Sequence, residues 1–417
     1  RGIDGTSLWP GFNPQEIPAA IFDGKNTYLI HSVNPPSGFA PTGENLETYT
    51  YPGRHPQIYG NGRIQLDGTW VATVVLRERS PLTGNVYTPR DLAAILLHEM
   101  FHVHQRLHYP KWAPNEAVLF SYPYDTPERL YLRRLEMKSF LRALNSPDDS
   151  EARKWSAAAL GYWNRGLSLL GQDRQQYEDE LQRFEGLGNY VERIAAGKSL
   201  ASEDRYQEFV PGVIRDLGYL EGSWTAGLLD RLDPDWRHEM DRDPSQSLAT
   251  LLSQACSGAS PVSLSQEDLK RLEVTAQVDF DIWREESTKL RDELENRPGY
   301  QVVIDSEAFP LSLRMFFATH TEALSDGESL HRRLFMAANS GGSLEVRRRD
   351  CVVTATGPYS ILKVTIPGFT TEPEIMQAAN GVSLEAQGVR LDFSRATVSR
   401  TDQTVLIKLQ APPNSDN

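Results

Sequence analysis

The sequence predicts an α+β protein in three parts: a β-rich N-terminal stretch, a helical body, and a small C-terminal β-sandwich or barrel. Three observations support this. Gly, Pro and Asn break up short apolar runs over residues 1–87, helical periodicity holds from 88 to about 297, and extended patterns return over 298–417. With 417 residues, 39% of them hydrophobic and 24% charged, the chain has the composition of a globular protein of two or three domains.

The first part contains AAIFDG, NTYLIHSV and the alternating TWVATVVL (69–76), which read as strands between turns. Thr88-Pro89-Arg90-Asp91 then opens a helix, with a hydroxyl at the N-cap, proline in the first helical position and an acid in the first turn. Amphipathic stretches follow at about 126–145, 150–170, 174–196, 203–231, 246–256 and 264–296. After Pro298 come a strand at 301–304 and the runs LEVRR, CVVTA, ILKVTI, VSLEA, VRLDF and TVLIKL, separated by turn residues. Asn339-Ser340-Gly341-Gly342-Ser343 reads as a linker, which starts the β-domain at about residue 343.

Charge and apolar content exclude some partners. With 43 Lys+Arg against 56 Asp+Glu and a net charge of -13, the chain concentrates no basic cluster for phosphates, so nucleic acid is not an expected partner. No run of 18 apolar residues occurs, so no membrane-spanning helix is expected. Arg1 opens the sequence without a Met or a basic-then-apolar leader, which reads as a removed targeting segment or a trimmed end. The two cysteines, Cys256 and Cys351, are too few for a disulfide scaffold or thiolate cluster. They read equally as two buried thiols or as one bridge, which across so long a loop is worth about 4 to 5 kcal/mol. Nothing in the sequence signals an oligomeric state.

The chemistry lies on the helix that Thr88 opens. His98-Glu99-Met100-Phe101-His102 is an HExxH motif, whose histidines at i and i+4 lie about 40° apart on the helical wheel and can reach one ion, with Glu99 beside them as a base. Leu92, Leu96, Met100, Val103 and Leu107 form an apolar stripe on the opposite face, and Ile95, Leu97 and Phe101 extend it, so the helix is expected to be buried nearly all round. Unpaired polar groups in such a place cost several kcal/mol, and a divalent metal, Zn2+, would partner them.

Three residues compete as third ligand. His108 stands ten positions after His98, but a metzincin-like turn needs glycine where Gln105 stands, and a continuing helix points His108 about 80° from His98. Glu136 reads better as a buried acid paired with Arg133, Arg134 or a ligand histidine. Glu185 lies in a helical pattern containing Gly186 and Gly188, each costing about 1 kcal/mol relative to Ala. Close approach of another helix, expected to be the His98 helix, would offset that cost.

HEMFH, followed by EGLGNY and then by Tyr219-Leu220-Glu221-Gly222, resembles the three marks of the gluzincin metallopeptidases with a thermolysin-like fold, especially the aminopeptidase-type branch. The resemblance spans about residues 60–232 and implies a zincin-like catalytic core made of the β-rich part and the helical body. It implies His98, His102 and Glu185 as metal ligands, Glu99 as base and Tyr219 as oxyanion donor. The chain departs from the pattern in its long gap between His102 and Glu185, which implies an inserted helical hairpin at about 124–172. It also has Gly188 for alanine and Glu221 for lysine, and no GxMEN-type element for a substrate amino terminus. Together with Leu8-Trp9-Pro10-Gly11-Phe12, the motifs are similar to those of uncharacterised exported bacterial HExxH proteins. That resemblance implies an extracellular or periplasmic location and favours a Cys256–Cys351 bridge.

The function expected is a zinc-dependent hydrolase, a metallopeptidase acting on a peptide or protein substrate. TWVATVVL would be the edge strand that pairs with it. The alternative is a catalytically silent zinc-binding exported protein whose β-domain binds a partner, an idea that Trp224, Trp236 and Tyr359 could serve, although single aromatics at such spacing are more often core. Glu99 discriminates between the two, since a structural zinc site needs a fourth ligand and has no use for a base.

Overall fold

The computed structural model describes residues 8–43, 45–80, 84–122, 126–200, 214–316, 321–325, 327–378 and 381–412. It is an α+β protein of two units. The first holds the described residues of Arg1–Pro114, Leu132–Phe209 and Val213–Leu272, and the second those of Asn115–Tyr131 and Glu273–Asn417. The β-rich part and most of the helical body therefore belong to one unit, and the division between the units falls inside the last long helix.

The first unit has a six-stranded sheet of β1 (Ala19–Phe22), β2 (Asn26–Ile30), β3 (Ala40–Thr42), β4 (Asn45–Pro52), β5 (Gly62–Leu66) and β6 (Thr69–Val75). Their order is β3-β4-β2-β1-β6-β5, with β1 and β6 parallel and the other pairs antiparallel. This corrects one expectation. TWVATVVL is β6, an inner strand paired with β1 and β5, and the edge beside it is β5. Its four consecutive buried residues, Val71 to Val74, fit an inner strand covered on both faces.

The helices are α1 (Pro89–His108), α2 (Pro127–Leu144), α3 (Asp149–Ser168), α4 (Gln172–Leu181), α5 (Leu187–Ala196), α6 (Ile214–Leu232), α7 (Trp236–Arg242), α8 (Leu248–Ala255) and α9 (Gln266–Glu295). Two successive helices, α2 and α3, stand where an inserted hairpin was expected. Residues 203–213 of the expected 203–231 stretch lie outside the described residues.

Thr88 caps α1 in a closed box: its Oγ1 accepts from the Asp91 amide at 3.2 Å, while Asp91 Oδ2 accepts from the Thr88 amide at 2.9 Å. The helix packs against β6 and α5. The LWPGF segment braces it, with Trp9 and Phe12 fully buried and edge-on to Phe101. Burial is continuous only from His98 to Gln105. Leu92 and Leu96 are half-buried and Leu107 is exposed, so the expected all-round burial fails at both ends.

The second unit contains a sandwich of β7 (Tyr300–Asp305), β8 (Ser312–Phe316), β9 (Thr321–Ser325), β10 (Glu328–His331), β11 (Leu334–Asn339), β12 (Gly342–Arg347), β13 (Cys351–Gly357), β14 (Ser360–Phe369), β15 (Met376–Gln377), β16 (Val382–Ala386), β17 (Val389–Phe393), β18 (Ala396–Arg400) and β19 (Thr404–Leu409). One sheet runs β18-β19-β7-β14-β13-β10-β9, the other β15-β16-β17-β12-β11-β8. Val302, Val353, Val364 and Ile407 of the first share one core with Phe335, Leu344, Leu384 and Leu391 of the second.

The sandwich therefore begins at β7, well before residue 343. The expected linker is the turn of the β11–β12 hairpin. Its glycine at 342 lies so near β17 that a Cβ would collide with the Asp392 carbonyl oxygen. The glycines here permit close packing rather than a flexible connection. The expected disulfide is also absent: Cys256 and Cys351 are free, buried thiols, each enclosed in its own unit.

Candidate metal centre

His98 and His102 project from the same face of α1, with their rings 4.6 Å apart and their Nε2 atoms at 2.9 Å. Glu185 completes the group. Its Oε2 lies 3.1 Å from His102 Nε2 and 3.8 Å from His98 Nε2, and all three residues are buried. Donors around a tetrahedral zinc stand roughly 3.3 Å apart, a spacing these three distances bracket. Two imidazole nitrogens and a carboxylate oxygen this close together match the donor set of a divalent ion. This His-His-Glu group could bind a metal.

Glu185 reaches the histidines through a change of helical pitch. Between α4 and α5 the chain forms a π-helical turn, Gln182–Gly186, with the acid inside it. π-turns interrupt the regular helical ladder and are frequent at functional sites. The carbonyls of Arg183 and Phe184 in this turn both accept from Gln105 Nε2, each at 3.1 Å.

The two glycines allow close approach on two sides. A Cβ on Gly188 would stand 2.9 Å from His98 Nε2 and 3.0 Å from His102 Cε1, so the site needs a bare backbone there. A Cβ on Gly186 would lie 2.5 Å from Gly222 Cα, so Gly186 serves a contact with α6 rather than α1.

The outer nitrogens of both imidazoles are also held. His98 Nδ1 is 3.1 Å from Glu192 Oε2, and His102 Nδ1 is 2.8 Å from Gln105 Oε1. Such contacts fix the tautomer that turns Nε2 towards a metal. His102 also stacks on Phe184, with centroids 4.2 Å apart, and Arg63 lies 4.5 Å from the centre of the same Phe184 ring. Arg215 from α6 pairs with Glu185 Oε1 at 2.7 Å and donates to Tyr219 Oη at 3.1 Å.

Charge is distributed unevenly across the group. Burial opposes a charge on His98, but Glu185 and Glu192 outweigh it and raise the imidazole to about 10. Burial lowers His102 to about 4 and raises Glu99 to about 7. For Glu185, burial acts upward, but Arg215 and the histidines hold the carboxyl well below its usual range. Burial, then the Glu185 charge, push Tyr219 well above 10, so its hydroxyl remains a donor.

The other third-ligand candidates lie elsewhere. α1 runs through Gln105 to His108, which is exposed and tilted against His104. Glu136 is buried beside Glu221 and Arg133, which agrees with a buried acid near Arg133 and not with one near a ligand histidine; Glu192 and Gln105 orient the two imidazoles instead. Gln105, Glu192, Arg63 and Arg215 went unassigned in the sequence. Only Gln105 had a local signal, three residues beyond His102. Comparison with protein-family models, curated proteins and solved structures finds no match to this chain.

Proposed function

We propose that the protein is a zinc metallopeptidase of the gluzincin kind, with a zincin-like core. The observation that carries this reading is a buried carboxylate, Glu99, on the HExxH helix whose two histidines meet Glu185 in a His-His-Glu donor set. His98, His102 and Glu185 would hold the ion, with Glu192 and Gln105 orienting the rings. Zinc at that point would supply a Lewis acid that polarises a scissile carbonyl and activates water.

Glu99, raised by burial to about 7, takes a proton from the attacking water at its carboxylate and returns it to the leaving amine. Tyr219, beside His98 with ring centroids 6.0 Å apart, donates its hydroxyl proton to the developing oxyanion. Strand β5, whose outer edge has no partner strand among the described residues, is the strand available to pair with an extended substrate. An exported location belongs to the same proposal and rests on the resemblance, without support from a disulfide.

The test combines metal content with cleavage of a mixed peptide library. Wild-type protein is expected to carry zinc and cleave. Glu99→Gln is expected to keep zinc and lose hydrolysis, and Tyr219→Phe to keep zinc and turn over about 100- to 1000-fold more slowly. Full activity in Glu99→Gln would refute the mechanism. A zinc-loaded wild type that cleaves nothing would favour the silent binding protein.

A further inference from the structure

We propose that His104 and His108 form a second divalent-metal site on α1, separate from the His98-His102-Glu185 group. The helix carries two i,i+4 histidine pairs offset by six residues, which places the second pair about 120° round the axis from the first. The His104 and His108 rings are 4.4 Å apart, close to the 4.6 Å of the first pair, and tilted by 33°.

His104 is only 4% exposed, stacks on Phe101, meets the edge of Phe12, and leaves its Nε2 buried without a hydrogen-bond partner. An orphaned buried nitrogen of this kind is costly, because the water it lost on burial has not been replaced. A metal ion bridging the two imidazoles removes that cost. His108, exposed in the last turn, gives the route from solvent and frees the remaining coordination positions for water. Asp241, which accepts from Tyr109 Oη at 2.5 Å, adds a negative charge that acts on His104. Imidazole donors select Cu2+, Ni2+ and Zn2+ over Mg2+ and Ca2+, so the ligand is a borderline transition-metal ion.

The experiment is a Cu2+ and Zn2+ titration of chelator-stripped full-length protein, read as ions bound per chain. Two ions are expected for the wild type. His108→Ala, an exposed change to a good helix former, is expected to keep the first ion and weaken the second by about tenfold or more, a loss of about 1.4 kcal/mol. Glu185→Ala is expected to do the reverse, so failure of one site is distinguishable from failure of the other. A wild type that binds one ion, retained in His108→Ala, overturns the proposal. So does a second ion that persists with unchanged affinity in His108→Ala, because it then belongs to other side chains.

Discussion

Gln105 has two roles at the site. Its carbonyl oxygen faces His102 Nδ1, and its amide nitrogen ties α1 to the two π-turn carbonyls next to Glu185. It thus couples the orientation of one ligand to the position of another. Gln105→Leu, similar in volume but without polar atoms, is expected to lower zinc affinity by about 10- to 100-fold, measured by competition with a chromogenic chelator. Gln105→Glu retains the acceptor and is expected to hold zinc more tightly than the leucine variant. Equal affinity in Gln105→Leu and wild type would show that His102 needs no such anchor. The HExxH pair was legible because i,i+4 spacing is a local property of a helix. Glu192 was not legible, since its contact with His98 spans 94 positions and depends on how α1 meets α5.

The Glu185 helix shows how an element's sequence cost can point to its function. Glycines at 186 and 188 weaken a helix, and the structure offsets each with a contact only glycine permits. Gly188→Ala would ordinarily favour the helix by about 1 kcal/mol. Here the added methyl meets both imidazoles at 2.9 to 3.0 Å, so the two rings must shift together. The expected result is a folded, helical protein with at least about tenfold weaker zinc binding. Unchanged binding would mean that the rings have room the structure does not indicate. Helix positions were readable because amphipathic period and capping residues are encoded within each segment, as Thr88 and Asp91 illustrate. Strand neighbours were less so. Burial on both faces marks β6 as an inner strand, yet alternation alone reads the same for inner and edge strands. The Gly341-Gly342 pair misled for a related reason, because a flexible linker and a tight hairpin call for the same residues.

At the scale of the whole molecule, the pH dependence of stability is expected to reflect a buried acidic cluster, of which the sequence signalled only Glu136. Glu136, Glu178 and Glu221 are all at most 3% exposed, with Arg133 paired to Glu178 at 3.0 Å and Gln182 donating to Glu221 at 2.8 Å. Burial, then the facing Glu221 charge, raise Glu136 well above 4.5, and burial raises Glu221 to about 7. A shared proton between the two carboxyls relieves their repulsion. The consequence for stability has a definite sign. Below about pH 4.5 these carboxyls are protonated in folded and unfolded chains alike, and neither state gains. As pH rises, the unfolded carboxyls ionise freely while the folded pair resists, so folding loses stability between about pH 4.5 and 7 and beyond. Glu136→Gln puts an amide donor where the proton sits and removes that titration. The variant is expected to match the parent near pH 4.5 and to be more stable than it at pH 8, read from urea denaturation at the two pH values. Parallel curves for parent and variant across that range would mean that Glu136 enters the folded state already ionised.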